Sequence, residues 1–134
     1  MHIAYEEIRG HIADFRVKYM FFIGEEGGRL GPPYQAYRSD FKYEHPLHDG
    51  HNQLFMIHPE FEDDNGEIIL EDKEQVSIIG TARMWILIPE RRIYHEDKIL
   101  IGTKGFFMEE SRKVAECEVI EILGLLTNPR EKRR

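Results

Sequence analysis

Cysteine is almost absent from this chain. Cys117 is the only thiol among 134 residues, which excludes an intramolecular disulfide framework and points to a reducing compartment, the cytoplasm. A lone cysteine among strand formers reads as a small buried core residue. No apolar run approaches the ~20 residues of a membrane-spanning helix, so no membrane partner is expected. The opening MHIAYEEIRGHIADF carries acids where a secretory leader needs an unbroken apolar block. Positive charge is also short. The formal net charge is −7, and a chain that wraps nucleic acid as a whole normally carries a basic footprint.

Catalytic signatures are missing as well. The serines are Ser39, Ser77 and Ser111, and none stands in a G-x-S-x-G turn. There is no G-x-x-x-x-G-K-[ST] loop to cradle phosphates and no Asn-Lys-x-Asp motif to read a guanine base. The adjacent acids Glu109 and Glu110 lie at an expected turn, where solvent keeps both ionised. The reading is a protein that is not an enzyme and needs no cofactor.

What is present is period-2 alternation. Phe15, Val17 and Tyr19 share one strand face and Arg16 and Lys18 the other, and Met20 to Ile23 continues as a strand covered on both sides. Further strands are expected at Asp40–Tyr43, Gln53–Ile57 (ending before Pro59), Ile78–Ile88, Lys98–Met108 and Lys113–Leu123. Asn65-Gly66 reads as a type I′ hairpin turn with Glu67–Leu70 returning. Only Tyr5–Ala13 has the pattern of a short helix. Short strands closely spaced by turn signals predict an all-β domain, a single closed antiparallel barrel, over residues 14–124. Residues 1–13 are an N-terminal extension, and residues 125–134 a basic, frayed tail.

The richest segment is Tyr19–Tyr43, YMFFIGEEGGRLGPPYQAYRSDFKY. An apolar strand enters Gly24, an acidic Glu25-Glu26-Gly27-Gly28-Arg29 turn follows, then Pro32-Pro33 and an aromatic-basic passage. This layout resembles the opening of the third domain of translation elongation factor Tu. Arg112, Val114 and Val119 are similar in placement to its closing strand, and Glu109-Glu110-Ser111-Arg112 stands where that family carries a second acidic turn. The resemblance implies a β-barrel without the family's GTPase domain. In that family the barrel contacts the T-stem of aminoacyl-tRNA, the exchange factor and the GTPase domain. Carried over by position, the candidate binding residues are Glu26, Gly27, Gly28, Arg29, Tyr37, Arg38 and Phe41. Arg29 and Arg38 are the candidates for contact with a partner or polyanion; the alternative is that they brace the loop by pairing with Glu25, Glu26 or Asp40. Gly27 and Gly28 are expected to answer a demand for positive φ.

Tyr34, Tyr37 and Arg38 form an aromatic-plus-arginine set typical of protein interfaces, and the acidic charge favours a protein partner, of the translation machinery, over tRNA or other RNA, the second choice. Apolar surface left by missing neighbour domains makes self-association a further outcome. His45, His48 and His51 recur every three residues with His58 nearby, a weak candidate metal site and the basis of a third reading, a metal-dependent or enzymatic protein. Pro46 and Gly50 argue against the helix that would align them. An EF-hand reading of the acidic stretch Glu60–Glu74 fails, since Gly66 in sixth position puts Phe61 first, and phenylalanine cannot ligate calcium.

Overall fold

The computed structural model describes residues 1–24, 28–45 and 53–132. Helix α1 (Tyr5–Arg9) precedes strands β1 (Phe15–Phe21), β2 (Asp40–Tyr43), β3 (Ile57–Phe61) and β4 (Ile79–Ile86). A 3-10 turn (Pro89–Arg91) runs into α2 (Arg92–His95), and β5 (Lys104–Glu109) and β6 (Arg112–Ile122) close the order. The six strands form one antiparallel sheet in the order β2-β5-β6-β1-β4-β3. No described helix is long and apolar enough to cross a membrane.

The alternation of β1 places Phe15, Val17, Tyr19 and Phe21 in the core. Ala82, Met84 and Ile86 of β4, Cys117 and Val119 of β6, Phe107 of β5 and Phe61 of β3 join them. Tyr19, Phe21 and Phe61 meet edge-on or tilted at centroid distances of 5.3 to 6.1 Å, favourable geometry for ring quadrupoles. The Tyr19 hydroxyl donates to the Ser77 carbonyl at 2.9 Å, so its polar end is not orphaned. Burial raises the Cys117 thiol's pKa, keeping it protonated as an inert core residue.

The sheet is all-β and antiparallel as expected, but it is open, not the closed barrel the sequence suggested. Its edges are β2 and β3, and one bridge ties β2 to the residues just before β3, where Phe41 and Phe55 exchange backbone hydrogen bonds of 2.9 and 2.8 Å. A ladder cannot propagate from there, because the Ile57 N–H turns back to the Phe55 carbonyl. At the far end of β3 the buried Gln35 side chain replaces a strand: its Oε1 accepts from Phe61 N–H and its Nε2 donates to Phe61 O, each at 2.9 Å. Pro59, expected to end a strand, lies inside β3, tolerated on an edge strand that can spare an N–H.

Three further expectations are corrected. Residues 89–95 turn helically, where only the N-terminus was expected to. The hairpin turn is not type I′: Gly66 has φ 78° but Asn65 keeps negative φ, and Asp63 Oδ1 accepts from Asn65 and Glu67 N–H groups instead. Strand β5 begins only at Lys104.

Both chain ends dock. His2 is buried, its Nε2 2.6 Å from Glu60 Oε2, and the Tyr5 ring packs edge-on against Trp85 at 5.8 Å, covering the outer face of β3 and β4. At the other end, Asp14 is 0 % and Arg92 1 % exposed. Arg92 donates to Asp14 through Nε at 2.7 Å, to Ile86 O at 3.1 Å and to Pro129 O at 2.5 Å. Asp14 also accepts from Ile86 N–H at 2.8 Å and Asn128 Nδ2 at 2.9 Å. Leu125 is buried and Arg130 pairs with Glu96 at 2.6 Å; Arg133 and Arg134 lie outside the described residues.

Replacing Asp14 with alanine strands a buried guanidinium, so the expected loss is about 3–5 kcal/mol in urea unfolding; a loss below about 1 kcal/mol would contradict the assignment. A second expectation concerns His95, buried beside Tyr43, whose hydroxyl lies 2.7 Å from His95 Nδ1. Burial, then Lys98 and Arg91, lowers its pKa to about 4 from 6.5. The unfolded chain therefore takes up this proton first, and stability falls as pH drops from about 6.5 to about 4, by on the order of 3 kcal/mol. That slope should shrink in His95→Asn relative to the parent protein; an unchanged slope would place the titration elsewhere.

Candidate functional site

The Gly-rich loop leaves the sheet where β1 ends. Phe22 N–H bonds to Val114 O at 2.9 Å, and Arg29 N–H returns to Phe22 O at 3.0 Å, so Gly24 and Arg29 form the neck of the loop. Gly28 serves this neck by close approach and not by positive φ, as had been expected: a Cβ there would stand 1.8 Å from Phe22 O. Glu25, Glu26 and Gly27 fall outside the described residues.

Beyond the neck, Arg29, Tyr37 and Glu109 converge. Arg29 Nη1 donates to Glu109 Oε2 at 2.5 Å, and the Tyr37 hydroxyl donates to the same oxygen. Arg112 Nη2 reaches Glu109 Oε1 at 2.8 Å. The Arg29 guanidinium also lies over the Tyr37 ring, 5.0 Å from its centre, and its Nε donates to Gly31 O at 3.0 Å. Partial burial pushes the Glu109 carboxyl up, but hydrogen bonds from Tyr37, Arg29 and Arg112 outweigh it and hold it below the usual range. Burial, then the Glu109 hydrogen bond, raises the Tyr37 phenol. Arg29 thus braces the loop against Glu109, an acid not weighed for it from sequence.

The brace holds an apolar surface outward. Val76 N–H bonds to Pro33 O at 2.8 Å, Tyr34 bridges Gln75, and Gln75 Nε2 donates to Pro32 O at 3.0 Å. Residues 32–34 therefore lie along Gln75 and Val76. Leu30 is 99 % exposed, Ile79 69 %, Tyr34 50 % and Ile78 45 %.

Arg29, Tyr34 and Tyr37 are thus brought to one end of the sheet. Phe41 is not available there: it is 1 % exposed, in the core, because alternation on β2 turns Phe41 and Tyr43 inward. Arg38 is exposed on a different side, toward α1 and β3. His45 is exposed, while His48 and His51 lie outside the described residues; among the described residues no group of three metal-ligating side chains assembles. Glu109 was passed over in the sequence as a solvated turn acid. Its signal was Arg112, three residues on, in a second acidic turn matching the first.

No protein-family model and no curated protein matches the chain.

Glu109→Gln keeps the shape but removes the charge shared by two arginines and a tyrosine. The expected cost is about 1.5–3 kcal/mol, with faster proteolytic cleavage between Gly24 and Leu30. Unchanged stability and cleavage would show that the brace does not hold the loop.

Proposed function

We propose that this chain is a non-catalytic, cytoplasmic protein-binding module, related to the third domain of elongation factor Tu, that meets its partner with the braced loop end. The observation that carries the reading is Leu30, almost wholly exposed between a guanidinium fixed on Glu109 and a backbone segment tied to Gln75. A leucine left in water loses apolar burial, and exposed apolar residues beside aromatic and arginine anchors are the composition of interface cores. Partners of the translation machinery are the class that the family likeness suggests.

RNA is the weaker alternative at this end. Arg29, the basic residue at the neck, is already neutralised by Glu109, so its charge is less free for a phosphate.

The test compares the protein with Leu30→Asp and with Leu100→Asp, an exposed control outside the braced loop. Co-precipitation from cytoplasmic lysate should yield a stoichiometric protein that Leu30→Asp loses and Leu100→Asp keeps. Equal recovery by all three removes this surface from the function. Bound tRNA released by raised salt supports the RNA reading instead, and dimerisation of the purified protein abolished by Leu30→Asp makes a second copy the partner.

A further inference from the structure

Arg9, Arg38 and Arg91 stand apart from the other described arginines. Arg16, Arg29, Arg83, Arg92, Arg112 and Arg130 each pair with a carboxylate. Arg9 and Arg38 are exposed and make no ion pair among the described residues, in a chain with an excess of acid.

The fold brings these two together over His58. Gln35 is bonded to Phe61 and Phe41 to Phe55, so the segment between them is tied at both ends to the β3 strand and the residues just before it, and Arg38 is midway between the ties. Arg9 arrives from the other direction. The Tyr5 N–H is fixed to Glu60 Oε2 at 2.8 Å and the Tyr5 ring packs on Trp85, the cross-strand partner of His58. One helical turn later, Arg9 lies on the same face of α1 as Tyr5. Both guanidiniums are near enough to act electrostatically on His58 and on Tyr5. The acids facing this spot are Asp40, which acts on His58, and Glu60, which is buried and held by His2, Tyr5 N–H and Trp85 Nε1.

We infer that Arg9, Arg38 and His58 form an anion site whose ligand is a dianionic phosphate group, a phosphomonoester. Two guanidiniums supply paired N–H donors that match phosphate oxygens. The half-buried imidazole adds a third donor, and becomes a third charge once a dianion favours its protonation. A phosphodiester carries one charge and gains less from that third group. The site is separate from the Leu30 surface and does not rest on the proposed function.

Histidine imidazole signals followed by NMR at fixed ionic strength test it, with the His58 signal identified by its loss in His58→Gln. Inorganic phosphate should raise the His58 titration midpoint saturably, because the bound dianion stabilises the imidazolium. The phosphate concentration needed should rise about tenfold or more in Arg9→Gln/Arg38→Gln, which, like each single variant, alters only exposed side chains. Leu30→Asp should leave the effect intact. No shift, or the same shift in the double arginine variant, overturns the site. An equal shift with dimethyl phosphate overturns its assignment to a dianion.

Discussion

The Asp14 carboxylate is the point to which separate parts of the chain are tied. It sits where β1 begins, takes the Arg92 guanidinium and the Ile86 N–H at the end of β4, and takes Asn128 from the C-terminal segment. The Asp14 carbonyl adds Leu123 and Leu125 N–H bonds. A carboxylate stripped of water in an apolar interior is costly unless its lone pairs are filled. Once filled, it punishes any arrangement that removes a donor. The pair therefore acts less as net stabilisation than as selection of one arrangement, since an apolar replacement of both partners could be equally stable.

Two more buried acids repeat the device. Glu60 gathers His2, Tyr5 N–H and Trp85 Nε1, pinning the N-terminal segment on the outer face of the sheet. Glu62 gathers Arg16, Arg83 and Thr81; burial would raise its carboxyl, yet these bonds lower it. An acidic protein thus spends several of its carboxylates as interior nodes. Those nodes compensate for a sheet that does not close, whose edges are quietened by a side chain (Gln35), a proline (Pro59) and one aromatic bridge (Phe41 with Phe55). With the edges dealt with locally, the Gly-rich loop end is free to present Leu30 and its neighbours.

Period-2 alternation made the core face of β1 legible, because it follows from the pleat alone, whereas Phe41 of β2, expected at a binding surface, turns into the core. Closure was not legible. Whether two edges join depends on a Gln35 amide replacing a strand and on the turn at Phe55–Ile57, neither of which alters hydropathy. Trp85 shows the same limit: it falls on the outer face of β4, and its burial comes from Tyr5 and His11, distant in sequence. The arginines of the loop were visible as candidates, but their separation was not. Arg29 finds Glu109 across the sheet end, whereas Arg38, nine positions on, is exposed and makes no ion pair among the described residues.

The Asp14 node belongs to the cooperative core and is not a local clasp. Native-state hydrogen exchange at the Ile86, Leu123 and Leu125 amides tests it most directly. Exchange of these amides only through global unfolding, at the free energy of the β1 and β6 amides, is the predicted result. Exchange of Leu123 and Leu125 at a much lower free energy, while β1 stays protected, would show that the C-terminal segment opens by itself and that the node does not hold the fold together.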